Sequence, residues 1–211
     1  MADGLTVPFA LAAGVTGVVA ASGLVVTAGL AEIVAGAISM GLGGYLAAHT
    51  DAAHYAKEYA REIRETHEIP DEERAEVAQI MQGYGVREPV LSRVVNEITG
   101  DREQWVAFMM RNELGLERPD ERAAPRSAAT VGGGYVLGGI FPLAPYLFVP
   151  NAHVALYWSI LCTSIALFVF GAVRARVLAT PILAGAAQTW FIGALAAAAA
   201  YGLARLVSHA I

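Results

Sequence analysis

The 211-residue chain is 56% hydrophobic and 16% charged, with 22 glycines and a mean hydropathy of +0.50, a balance that excludes an ordinary water-soluble enzyme and fits a small polytopic membrane protein. Its net charge of -5 comes from basic residues interleaved with more numerous acids, which leaves no footprint for nucleic acid. One cysteine, Cys162 in an apolar run, excludes a disulfide framework.

From Leu5 to about Ala21 the residues are apolar or small apart from Thr6, Pro8 and Thr16, just long enough for one membrane crossing. No basic region precedes this run, so a cleavable signal peptide is not expected. Ala13, Gly17 and Ala21 repeat at four-residue spacing, a small-residue stripe that serves packing within one chain or dimerisation equally well. Ser22-Gly23 suits a tight turn, and a second span follows from about Leu24 to Ala48.

That second span carries Glu32 and Met40, with no basic residue in the run to neutralise the carboxylate. An ionisable group at membrane depth costs roughly 2.5 to 3.5 kcal/mol on insertion scales and usually marks a pathway. The two residues stand eight positions apart, near one stripe of a helix and about 12 Å apart along it. A hard oxygen and a soft sulfur on one face suit a borderline transition metal better than Mg or Ca.

After His49 and Asp51 the helical period continues while the composition turns polar, so the second span is expected to leave the membrane as one long helix. Pro70 interrupts it, Asp71-Glu72-Glu73 opens an acidic first turn, and further helices are expected from Glu88-Pro89 to Ile98 and from Arg102 to Leu116. Three more spans follow, at about Ala128–Phe148, Val154–Val173 and Pro181–Val207.

The expected fold is therefore all-α: a polytopic membrane protein with five transmembrane helices and a cytoplasmic three-helix metal-binding domain between spans two and three. Residues 1–50 hold the first two spans, 51–126 the polar domain and 127–211 the last three spans. All acids except Asp3 and Glu32, and all bases except Arg174, Arg176 and Arg205, fall in the central block. The positive-inside rule puts that block and the Arg174–Arg176 turn in the cytoplasm, with the amino terminus inside and the carboxyl terminus outside. Arg205, near the end of the last span, can snorkel to the far interface. Five spans do not divide into equal inverted halves, which disfavours an inverted repeat.

Glu58, Glu62 and Glu65 stand at i, i+4 and i+7 on one helical face, and Glu72 or Glu73 with Glu76 repeats the pattern. For any one of them a solvated face, screened by Arg61, Arg64 or Arg74, is the simpler account. Met109 and Met110 precede Glu113 at i+4 and i+3, again pairing thioether with carboxylate. Trp105 and Phe108 read as core. His49, His54 and His67 form no Glu-x-x-His pair of the di-iron type, and no phosphate loop, serine elbow or zinc helix is present. Neither an oxidase nor ATP-driven pumping is expected, nor any prosthetic group. By spacing alone, Asp3 reads best as a cap on the first span.

Three stretches, Asp3–Gly14 (DGLTVPFALAAG), Glu32–Tyr45 (EIVAGAISMGLGGY) and Met109–Glu117 (MMRNELGLE), together resemble the vacuolar iron transporter family, and the likeness covers nearly the whole chain. In this sequence the aspartate is the third residue, where family members commonly carry an amphipathic segment before it. The resemblance implies a homodimeric Fe2+/H+ antiporter, with Zn2+, Mn2+ and Co2+ as further candidate substrates, protons and the lipid bilayer as partners, and the ion path between two subunits. Carried over by position, Asp3, Glu32 and Met40 are the implied transmembrane ion ligands, so Asp3 is implied to line the path. Glu62, Glu65, Glu73, Glu76, Met109, Met110 and Glu113 are the implied metal ligands of the cytoplasmic domain. The competing expectation is a membrane-anchored cytoplasmic metal buffer or sensor without transport, or a structural membrane protein with solvated Glu faces. The expected location is an integral, multi-pass protein of the cytoplasmic membrane in a prokaryote or of a vacuole-like membrane in a eukaryote.

Overall fold

A computed structural model describes residues 1–210, which form eight α-helices: α1 (Ala2–Thr16), α2 (Ser22–Glu68), α3 (Pro70–Gly83), α4 (Val90–Gly100), α5 (Arg102–Asn112), α6 (Ala123–Phe148), α7 (Ala152–Val177) and α8 (Ile182–Ala210). No strand occurs among the described residues, which carry one isolated antiparallel bridge, Ala21 with Asn151. The chain divides into two units, one from Met1–Tyr45 with the chain from Pro125 onward, the other Leu46–Ala124.

In the first unit, α8 packs along both α1 and α7, and α1 also touches α7. The buried stripe of α7 is Ala155, Ser159, Thr163, Leu167, Gly171 and Ala175, mostly small residues at four-residue spacing, while Trp158, Ile165, Phe168, Val169 and Val173 face outward. Small residues inside and bulky apolar ones outside is the arrangement of helices that associate in lipid, where burying Leu or Phe against a neighbour gains little over leaving it in hydrocarbon. The α1–α2 and α6–α7 turns are tied together: Ser22 N–H donates to Pro150 O at 3.0 Å, Ala152 N–H to Ala20 O at 2.9 Å, and Ser22 Oγ to Val149 O at 2.5 Å.

Four helices, α2, α6, α7 and α8, are long and apolar enough to cross a membrane. The apolar α1 has 15 residues, about 22 Å at 1.5 Å per residue, against a hydrocarbon core of about 30 Å. It stops at Thr16 rather than at the expected Ala21. Thr16 Oγ1 donates to Ala12 O at 2.7 Å and lies 3.0 Å from the Tyr146 hydroxyl, which fastens the end of α1 to α6. Ser22-Gly23, expected as a turn, instead begins α2; the reversal occupies Gly17–Ala21.

In the second unit the polar part of α2 is joined by α3, α4 and α5. Val77, Leu91, Val95, Trp105 and Met109 form the core between the last three. Asp101 caps α5 by accepting from Gln104 N–H at 2.8 Å. Helix α5 ends at Asn112, short of the expected Leu116, because Gly115 takes a positive φ of 64° and Leu116 N–H closes back on Met110 O at 2.8 Å, the left-handed termination that glycine permits.

Candidate functional site

Glu32 lies on the membrane-spanning part of α2, and the helix brings it against Tyr135 of α6, whose hydroxyl donates a hydrogen bond to Glu32 Oε1. The other oxygen, Oε2, is buried with no partner. The carboxylate thus has a neutral donor where the sequence shows no cation, and one free oxygen for a ligand. Tyr135 is buried where α1, α2 and α6 meet. A methyl at Gly36 would overlap the Tyr135 ring, and a methyl at Gly4 would overlap its carbonyl. One turn along α6, a Cβ at Gly138 would come within 2.8 Å of the Gly4 carbonyl carbon. Glycine on each helix lets the three backbones close around the Tyr135–Glu32 pair.

Asp3 sits in the first turn of α1 and makes no side-chain cap; Met1 is the N-cap. The cap expected from spacing is therefore corrected: Asp3 is the second helical residue, two positions past the Met1 N-cap, where its side chain makes no cap hydrogen bond. Its chain neighbour Gly4 packs directly against the Tyr135 backbone, which brings this turn of α1 to the part of α6 that carries the phenol. Met40 follows Glu32 on α2 and is 37% exposed.

The second unit gathers carboxylates from three elements. Glu62 on α2 is 1% exposed and Glu73 on α3 is 3% exposed, and Oε2 of each is buried without a partner. Burial, then the Glu113 carboxylate, pushes Glu62 up to about 7 against the pull of Arg61. Burial, then Glu62, with Glu76, Glu65 and Glu113 adding, pushes Glu73 up to about 7. Glu113, at the end of α5, is raised by burial and then by Glu76. Five carboxylates, Glu62, Glu65, Glu73, Glu76 and Glu113, thus lie in one another's field, a charge density that favours protons or a divalent cation among them.

Arg61 pairs with two members of this group, Glu62 and Glu65. Its Nη2 donates to Glu62 Oε1 at 3.1 Å, and its Nε lies 2.9 Å from Glu58 Oε2 and 3.7 Å from Glu65 Oε2. Arg74, named from the sequence as another screening charge, instead ties α3 to α4 through Thr99 Oγ1 at 2.5 Å and Asn96 Oδ1. Met109 belongs to the apolar core with Val77 and Trp105. Met110 lines a groove of about 690 Å³ between the polar part of α2 and α5, with Tyr55, Tyr59 and Arg111. As the side chains stand, no three carboxylate, imidazole or thiol groups among the described residues are grouped to hold one ion.

Sequence reasoning missed Tyr135. Its available signal was a lone tyrosine following Gly132-Gly133-Gly134 in an apolar run, a place where backbone must approach backbone.

The sequence model of the VIT family matches residues 1–205. The chain is similar to vacuolar iron transporter 1 of Arabidopsis thaliana, 50% identical over 209 residues that cover 99% of this chain and 84% of the relative. It is similar to vacuolar iron transporter 2 of Oryza sativa subsp. japonica, 52% identical over 207 residues covering 98% and 84%. Protein CCC1 of Saccharomyces cerevisiae is 38% identical over 178 residues, 83% of this chain and 55% of that protein. Apolar helices of spanning length, a carboxylate held among them and matches running almost end to end lead to one conclusion: this chain is a multi-pass integral membrane protein belonging to the VIT family.

Proposed function

We propose that the protein exports Fe2+ from the cytoplasm in exchange for protons, working as a homodimer, with Zn2+, Mn2+ and Co2+ as further substrates. The observation that carries this reading is Glu32: a carboxylate in an otherwise apolar helix, one oxygen held by Tyr135 and the other buried and free. A carboxylate so placed is costly and is neutralised by either a proton or a metal ion. Because one oxygen pair cannot be fully engaged by both, occupancy by one releases the other, and alternating occupancy yields exchange. Asp3 supplies a second oxygen donor and Met40 the thioether that favours a borderline metal over Mg2+. The names of the plant relatives support iron as the cargo and a vacuole-type membrane as the location.

Helix α1 is proposed as the fifth element within the bilayer, packed on α7 and α8 and short enough to leave Asp3 below the surface. Leu30, Val34, Ile38 and Leu42 stand uncovered at four-residue spacing on α2, which supports a second copy of the chain against that face. The charged unit faces the cytoplasm and collects metal on Glu62, Glu65, Glu73, Glu76 and Glu113, with Met109 and Met110 as soft donors.

The test is Fe2+ uptake into proteoliposomes under an imposed pH gradient. Flux should follow the gradient, collapse in Glu32→Gln and fall in Met40→Ala. Native-rate, gradient-driven flux in Glu32→Gln would overturn the scheme, and absent flux with intact metal binding would favour an anchored buffer.

A further inference from the structure

The carboxylate group of the second unit carries its own cation. Arg61 reaches Glu58, Glu62 and Glu65, all on α2, at 2.9, 3.1 and 3.7 Å, and its charge also acts with that of Glu113 at the end of α5. The hold is loose. Only the Nη2–Glu62 contact is a hydrogen bond, whereas Nε, although close to Glu58, is buried without an aligned acceptor. A guanidinium normally engages carboxylates through a planar fork; this one is shared among three carboxylates as a charge.

The neighbouring carboxylates point to a ligand independently. Glu62 and Glu73 are 1% and 3% exposed, and each keeps one oxygen buried and unpartnered. A buried unpaired carboxylate oxygen is expensive unless a proton or cation visits it. Arg61 touches Glu62 through Oε1 and leaves Oε2 open, so the tethered cation satisfies the cluster in part.

We infer that Arg61 is a built-in counter-ion that occupies the carboxylate cluster when it is empty and swings out as a divalent metal enters, setting the affinity of the site. Its charge offsets mutual repulsion among the glutamates of the empty site, and its displacement subtracts from the free energy of metal binding. It is a positioning residue that weakens a site otherwise too retentive for an ion in transit. This inference rests on the proposed metal-collecting role of Glu62 and Glu73.

The experiment uses the full chain in detergent, with Glu32→Gln in every sample to silence the membrane carboxylate, and Co2+ as the titrant by calorimetry at pH 8. Arg61→Gln should bind Co2+ about tenfold more tightly, since removing one charge at contact range in a partly wet site is worth at least that. It should also release more protons per ion, read from the dependence of the heat on buffer ionisation, because protons replace the missing guanidinium. Arg61→Lys, which keeps the charge, should stay near the unsubstituted affinity. An arginine that merely braces the surface of α2 predicts unchanged or weaker binding and unchanged proton release in Arg61→Gln, and that result overturns the inference. Glu62→Gln run alongside separates the two failures. If it loses Co2+ binding while Arg61→Gln gains none, the role of Arg61 alone falls; if it binds Co2+ undiminished, the metal-collecting role falls and the inference with it.

Discussion

The Tyr135 hydroxyl donates to Glu32 Oε1 across 103 positions of sequence, joining α6 to α2 at the one carboxylate on the membrane-spanning part of α2. The phenol orients the carboxylate and leaves Oε2 open. Tyr135→Phe removes the donor while keeping the ring that fills the space beside Gly36. A hydrogen bond to a charged group is worth about 1.5–3 kcal/mol, so transport should fall about tenfold or more and melting temperature should drop by several degrees. Initial rates of Fe2+ flux in proteoliposomes check this; native rates in Tyr135→Phe would remove the phenol from the path.

Gly36 tests the same pair from the opposite side. Gly36→Ala drives a methyl into the hydroxyl-bearing edge of the Tyr135 ring, and relief requires the tyrosine or the helix to move. Overpacking of this kind costs about 1–3 kcal/mol. Gly43, whose added Cβ meets nothing within 4 Å, is the matched control. Gly36→Ala should lower both thermal stability and flux, and Gly43→Ala should leave both near native values.

The charged unit should show an unusual pH dependence. Glu62 and Glu73 ionise at about 7 in the folded protein against an ordinary 4.5. Between these values the folded chain binds protons that the unfolded chain has released, so their contribution to stability is full below about 4.5 and is lost as pH rises through about 7. With a chelator present, melting temperature should therefore drop from pH 5.5 to 8.5, and Glu62→Gln should flatten the slope. Divalent metal should restore stability at the alkaline end, where the carboxylates are free to bind it. A chelated protein that gains stability over this range would contradict the burial assigned to both groups.

Met109 and Met110 need isosteric substitutions. Both are fully buried and Met109 packs in the α3–α4–α5 core, so Met109→Ala should cost about 2–5 kcal/mol of stability whatever its part in metal binding. Met109→Leu and Met110→Leu conserve volume and should cost less than about 1.5 kcal/mol. The leucine variants should retain their melting temperature and bind Co2+ and Zn2+ more weakly, as measured by calorimetry. Undiminished binding in both would assign the two methionines to packing alone.

Much of this protein was legible in one dimension because its physical causes are local. Apolar run length and helical period determined an all-helical membrane protein, and the isolation of Glu32 in such a run marked it before any neighbour was known. The stretches around Asp3, Glu32 and Met109 carried the family, which comparison with the plant relatives then showed. Period also laid Arg61 alongside Glu58, Glu62 and Glu65. Tertiary structure alone decided that Tyr135 meets Glu32, that Asp3 lies inside the first helical turn instead of capping it, and that α1 stops at Thr16. It also decided that Glu62 and Glu73 are buried while Glu72 and Glu76 remain exposed, and that Arg74 holds α4 rather than the acidic face. The reason is common to all of these. Hydrophobic period places a residue on a face, but which face is covered, and by what, depends on helices far apart in sequence whose approach is set by where glycine leaves room.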